Sequence, residues 1–256
     1  MLLFKLLIFI WKNMGIFQKV SGILLIHVDD IGWASYLDTN VYCRPFDDQS
    51  GERIRVESNF FIEIADAALR SQKVIASSGY VKFEVENIIA PSKRKDVRGF
   101  ERTLASVNVN SDKRIIALAR KFSAEWSLNS LDALHISAAC IGRVDWFLTC
   151  GDEIFRNGRC IEELASEEGY GLKVRNPASY LEEKYGWKMT ETRIATVEVP
   201  FEALVKEVGA KRTIKFLSET RRKYGGSAVE LRTATEKLTV EQIEKEISQL
   251  KKEGRI

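Results

Sequence analysis

YLDTN at Tyr36–Asn40 decides how this chain is read. A short apolar run, Ala34–Tyr42, predicts a β-strand that carries Asp38 near its end, and RPFDD at Arg44–Asp48 follows as a loop in which Pro45 blocks continuation. Outward from there, Glu52–Gln72 has helical period, with Ile54, Phe60, Phe61, Ile64, Ala67 and Ala68 on one stripe. Lys73–Ser77 predicts a second strand, and Ser78 is placed to cap the helix bearing Glu84 and Glu86, which Pro91 ends. Helices are expected over Ser92–Ser106 and Ser111–Trp126. Ser130 is the N-cap candidate for Leu131–Ile141, which sets Asp132 in a first turn, where the helix dipole favours an acid. Val144–Thr149 and Leu172–Arg175 predict two more strands. Gly151–Arg156 turns into a short helix, and Asn176 and Pro177 open a helix ending near Tyr185. Strands alternating with helices predict an α/β fold, a three-layer α/β/α arrangement around a central parallel sheet. Such sheets keep their sites at the strand C-termini.

That end of the sheet is where Asp38, Glu84 and Asp132 are expected to meet. Carboxylates gathered without basic partners must take up protons or hold a cation. A hard divalent ion such as Mg²⁺, which prefers oxygen ligands, meets that need. Asn40 reads as a turn stabiliser rather than a ligand. His135, one turn after Asp132, reads as a packed or capping histidine rather than a general base. The hydroxyl of Thr149 is available to orient water or phosphate, or is satisfied by local backbone. Arg44, beside the strand end, is a candidate phosphate contact. Lys93, Arg94, Lys95, Arg98 and Arg102 form the densest basic cluster, which either follows a nucleic-acid backbone or is a solvated helix face.

The chain has 256 residues and a net charge of +3, too small to imply a polyanionic partner by itself. Its four cysteines form no CxxC pair and fit a reducing, cytoplasmic setting. Two histidines exclude a His-rich zinc site. No phosphate-binding glycine loop of the G-x-x-x-x-G-K-[ST] or G-x-G-x-x-G kind occurs, which argues against a nucleotide-dependent enzyme. Residues 1–35 are apolar but broken by Lys5, Lys12, Asn13, Gln18 and Lys19, so no span of about 20 apolar residues could cross a membrane. They are expected to be an extension outside the domain, as from a start codon set too far upstream, rather than a membrane-surface anchor. A second, mainly helical unit is expected over 189–256. It comprises extended ETRIATVEVP, helices at Phe201–Val208 and Ala210–Lys223, and an amphipathic helix at Thr239–Lys252 with Val240, Ile243, Ile247 and Leu250 on one face.

Four motifs together carry a family resemblance. YLDTNVYCRPFDD at Tyr36–Asp48, SSGYVKFEVENI at Ser77–Ile88, LDALHISAA at Leu131–Ala139 and DWFLTCGDEIFR at Asp145–Arg156 make residues 36–186 resemble the PIN-domain ribonucleases. Many members are VapC-like toxins of toxin–antitoxin systems. The resemblance implies an Mg²⁺- or Mn²⁺-dependent endoribonuclease cutting single-stranded RNA, with Asp38, Glu84 and Asp132 as metal-site acids. It further implies an antitoxin partner and, as in many members, a homodimer. The family reads T-x-D after its last strand, whereas Thr149-Cys150 is followed here by Gly151. Asp152 is therefore the expected fourth acid, one residue late, or three acids suffice with Asp145 nearby. Glu86 is the alternative to Glu84. Residues 189–256 resemble, more loosely, small helical proteins encoded beside such toxins, which implies an antitoxin-like segment in the same chain. An autoinhibited or catalytically decayed module acting in regulation or RNA binding is the alternative function.

Overall fold

Strands buried on both faces of a parallel sheet are apolar along nearly their whole length. The strand Ala34–Leu37 (ASYL) and the strand Trp146–Leu148 (WFL) have this character, with every residue buried. The computed structural model describes residues 34–70, 73–126, 128–185 and 227–256, and the backbone of 17–20 and 23–26. Near the start, β1 (Phe17–Val20) and β2 (Ile23–Ile26) pair antiparallel with one another, a hairpin unread in the sequence. Then follow β3 (Ala34–Leu37), α1 (Thr39–Cys43), α2 (Glu52–Leu69), β4 (Val74–Ser78), α3 (Gly79–Glu86), α4 (Pro91–Leu104), β5 (Val107–Val109), α5 (Lys113–Trp126) and α6 (Ser130–Ile141). The series continues with β6 (Trp146–Leu148), α7 (Asp152–Arg156), α8 (Gly158–Glu167), β7 (Lys173–Arg175), α9 (Pro177–Tyr185), α10 (Ser227–Thr235) and α11 (Val240–Lys252).

Five strands form one all-parallel sheet in the order β5-β4-β3-β6-β7, flanked by helices, as the sequence predicts. The chain adds β4 and β5 on one side of β3, then returns to place β6 and β7 on the other. The sheet therefore has a topological switch point between β3 and β6, where folds of this kind have a crevice at the strand C-termini. Asp38 leaves β3 at that point, its backbone N–H donating to the Leu148 carbonyl at 2.9 Å.

Several local expectations are corrected. The strand expected over Ala34–Tyr42 stops at Leu37, because Thr39–Cys43 winds into a helix whose five residues are all buried. The edge strand β5 and helix α8 were not read: VNV is too short for its alternation to register, and 158–167 lies between two recognised elements. Asn129, not Ser130, caps α6, its side-chain oxygen accepting from the backbone N–H of Leu131 and Asp132 at 3.0 and 2.9 Å. Ser78 does cap α3, accepting from Tyr80 N–H at 3.1 Å.

Met189, ETRIATVEVP and the helices expected at Phe201–Val208 and Ala210–Lys223 lie outside the described residues. The amphipathic helix expected at the end is present as α11. Thr239 and Gln242 close a reciprocal capping box at its start, with bonds of 3.3 and 2.7 Å. Val240, Ile243 and Ile247 are buried and Leu250 half-buried. This stripe packs on α3, α5 and α6, while α10 packs on α1. Burying an aliphatic side chain of this size contributes about 1.5–3 kcal/mol, so three of them hold the helix in place.

Candidate metal centre

β3, α3 and α6 each deliver one polar group into the crevice. Asp38 follows the last residue of β3, Glu84 projects inward from α3, and His135 from α6, one turn beyond the capped first turn. One ligand atom from each lies within 4.8 Å of the other two. All three side chains are buried, with 3 %, 7 % and 0 % of their residue surface exposed for Asp38, Glu84 and His135. Two carboxylate oxygens and an imidazole nitrogen so placed could hold a metal ion.

Each group is oriented by neighbours. Asp38 Oδ2 accepts from the Asn40 amide at 2.6 Å and from the Thr149 hydroxyl at 2.7 Å. Asn40 Oδ1 in turn accepts from Cys150 N–H at 2.8 Å, which ties the end of β3 to the end of β6. His135 Nε2 lies 3.0 Å from Glu84 Oε2, and its Nδ1 lies 2.8 Å from the Tyr36 hydroxyl. Tyr36 Oη is also 2.6 Å from Ser78 Oγ. This Ser78–Tyr36–His135 chain fixes the ring plane, the arrangement by which second partners orient metal-binding histidines.

The electrostatics are those of crowded acids. Burial, then the Glu84 charge, raises the Asp38 carboxyl above its ordinary range. Burial, then Asp38 and Glu84, pushes Asp132 well above its own. Burial would lower the His135 imidazole, but its hydrogen bond to Glu84 and the charges of Glu84, Asp38 and Asp132 outweigh that and raise it. These shifts mark a site that favours added positive charge, which a proton or a cation can supply.

The sequence-predicted residues divide accordingly. Asp38 and Glu84 are brought together. Asp132 sits half-buried at the α6 N-terminus, within the field of both acids, with Oδ2 accepting from Asn129 Nδ2 at 2.6 Å. Thr149 is fully buried and spends its hydroxyl on Asp38, while its oxygen accepts from Gly151 N–H at 2.9 Å. Asp152 does not reach the cluster. Its side chain is 66 % exposed and pairs with Arg53 at 2.5 Å. A Cβ at Gly151 would stand 3.2 Å from Thr149 Oγ1 and 3.3 Å from Asn40 Nδ2, tight for any side chain, so the glycine suits this packing. Asp145 is at the opposite end of the sheet, accepting from Ala34 N–H at 2.9 Å. Glu86 turns away from the crevice toward Arg98 and Arg255.

Arg44 is not open to a phosphate. It is buried, pairs with Asp47 at 3.0 Å and Glu57 at 2.6 Å, and donates to the Cys150 carbonyl at 3.1 Å. Lys93 leaves the basic cluster in the same way, fully buried against Asp47 at 3.2 Å. His135 is packed, as the sequence reading expects, but it also stands in the group that could hold a metal ion, a place that reading did not give it. Its signal was the spacing Asp132-x-x-His135, which sets both groups on one helix face. Among the described residues no helix is long and apolar enough to cross a membrane. Comparison with protein-family models, with curated proteins and with solved structures finds no match.

Proposed function

We propose that this chain is a metal-dependent endoribonuclease of PIN-like type, cleaving single-stranded RNA by phosphodiester hydrolysis. The observation that carries the reading is the convergence of Asp38, Glu84 and His135 at the switch point of a parallel sheet, with Asp132 alongside. A divalent ion in this cluster supplies Lewis-acid polarisation of a phosphoryl oxygen and lowers the pKa of a water. Asp38 and Glu84 provide the charge that holds it. Thr149 and Asn40 fix the Asp38 carboxylate in one orientation, and Tyr36 does the same for the His135 ring. Asp132 offers a carboxylate at the mouth, where a substrate or a second water would arrive. The mixed donor set suits Mn²⁺ better than Mg²⁺, because imidazole favours the later and softer ion. Cleavage of a single-stranded RNA in the presence of Mn²⁺, lost in Asp38→Asn while the fold persists, is the expected result. Undiminished cleavage by that variant overturns the assignment.

A second reading concerns control of the same site. The site's ligands are nearly inaccessible, and the C-terminal helices pack on the elements that bear them: α10 on α1, and α11 on α3 and α6. Arg232 of α10 pairs with Glu153, whose charge reaches Asp132, and Tyr80 of α3 donates to Glu244 of α11. In this reading the C-terminal segment acts as an antitoxin within the chain. Charging the docked face, as in Ile243→Asp with Ile247→Asp, would then raise RNA cleavage by the full chain. Unchanged cleavage removes this reading and leaves the first standing.

A further inference from the structure

On the face of α3 turned away from Glu84, Lys82, Val85 and Glu86 form one wall of a cavity of about 280 Å³. α4 contributes Arg98, Glu101 and Arg102, β5 contributes Val107 and Asn108, and Arg255 closes it from the C-terminal segment. The volume is near the lower end of the roughly 300–1,000 Å³ typical of small-molecule sites.

Its charges do not balance. Four cationic side chains line it against two side-chain carboxylates, Glu86 and Glu101, with Ile256 also in the lining. Glu86 is shared by two arginines, Arg98 and Arg255, the latter at 3.2 Å. Glu101 is turned inward, 3 % exposed, and accepts from Ser77 Oγ at 2.6 Å. Among the described residues Lys82 meets a neutral acceptor, Asn108 Oδ1, at 2.9 Å, and no carboxylate. Arg102 is exposed and pairs with no carboxylate among the described residues. The Nε of Arg98 is buried without a hydrogen-bond partner. Lys82 and Arg102, without a carboxylate partner among the described residues, leave the cavity lining net positive, and guanidinium and ammonium groups bind phosphate oxygens strongly. Val107, half-buried, gives the same cavity an apolar edge against which a ring could lie, while Val85 behind it is almost fully buried.

We propose that this cavity binds a phosphorylated small molecule of mononucleotide size, with its phosphate between Lys82 and Arg102 and its ring against Val107. The site lies on the opposite face of α3 from the acidic cluster and is independent of any metal there.

Calorimetric titration of the full chain in EDTA, with uridine or adenosine 5′-monophosphate as probe, tests this. The chelator keeps the acidic cluster metal-free, so a result here says nothing for or against RNA cleavage. Saturable binding that weakens with added salt is expected. Arg102→Ala and Lys82→Ala, both surface changes compatible with the fold, should each weaken it on the order of tenfold, the scale of one charged hydrogen bond. Arg102→Lys should keep part of the affinity. Inorganic phosphate should bind more weakly than the nucleotide. The proposal is overturned by no saturable binding at millimolar nucleotide, by affinity that survives both substitutions, or by inorganic phosphate binding as tightly as the nucleotide.

Discussion

Replacing Asp38 with Asn should make the metal-free protein more stable and the metal-loaded protein less so. Asp38 and Glu84 present ligand atoms no more than 4.8 Å apart. Two unit charges at that separation repel by about 3.5 kcal/mol at an effective dielectric of about 20. A protonated His135 offsets part of this. Asparagine has nearly the same shape, and its carbonyl oxygen can still accept from Thr149 and Asn40 as Asp38 Oδ2 does at 2.7 and 2.6 Å. The amide nitrogen loses the bond accepted from the Thr39 backbone, about 1 kcal/mol. The balance leaves Asp38→Asn about 1–2 kcal/mol more stable in EDTA. With Mn²⁺ at a hundredfold over its Kd, the wild-type chain gains about 2.7 kcal/mol and a variant that has lost a ligand gains little. The order of stabilities therefore reverses between the two conditions. Urea denaturation at neutral pH, followed by circular dichroism with EDTA or Mn²⁺, reads both arms. A purely structural Asp38, held for its hydrogen bonds, would give a variant less stable in EDTA and an unchanged Mn²⁺ response. That pair of results would refute the electrostatic account.

Three further outcomes follow from the same geometry. Asp38, Asp132 and His135 all bind protons more tightly folded than unfolded in the absence of metal, so their contribution is present at low pH, below about 4 for the acids and about 6.5 for the imidazole. It is lost as pH climbs through their folded values, and the melting temperature in EDTA should fall over that climb and flatten once Mn²⁺ is added. Tyr36→Phe removes the hydroxyl that orients His135 Nδ1 at 2.8 Å and should weaken Mn²⁺ binding by about 10- to 100-fold, measured by titration, with calorimetry excluding a general loss of fold. Ile247→Ala empties a side chain only 1 % exposed and should cost about 2–5 kcal/mol, with hydrogen exchange in α11 rising ahead of the sheet; a cost below about 0.5 kcal/mol would mean the helix is not docked as described.

The elements that sequence made legible are those whose burial is one-sided or total over several residues. β3, β4, β6, β7, α2 and α11 announce themselves by apolar period, and Ser78 by its capping oxygen; Pro91, expected to end α3, instead opens α4, α3 having stopped at Glu86. β5 did not, because three residues at a sheet edge with one buried side chain carry no pattern. In the site, Asp38 was legible from its place after a strand, and Glu84 from its place on a helix opening at a strand end. The choice between Glu84 and Glu86 was not, since it depends on which face of α3 meets α6, a tertiary fact. Asp152 was misplaced for a similar reason. Arg53 reaches across from α2 to hold it outward, and no neighbour in sequence signals that.

The fold contains two buried groups of charged side chains at the same end of the sheet, and their different accounting separates architecture from chemistry. In the first, Arg44 and Lys93 face Asp47 and Glu57, two cations against two carboxylates, with pairs at 3.0, 2.6 and 3.2 Å. Exposed Arg53 also pairs with Glu57 at 2.9 Å, so both carboxylates of this set have cationic partners. Removing any one member would leave an uncompensated buried charge, which costs about 3–5 kcal/mol, so its role is to lock α1, α2 and α4 together. In the second, Asp38, Glu84 and Asp132 face His135, and the upward shift of Asp38 and Asp132 by burial and like charge, with that of His135 by the acids around it, is the sign of the imbalance. Stability alone would favour closing that deficit with a lysine or arginine of the kind the first group already has. A deficit kept at the switch point of the sheet, with Asp38 held by Thr149 and Asn40, His135 by Tyr36, and Glu84 by His135 itself, is the arrangement expected where a cation from solution completes the charge.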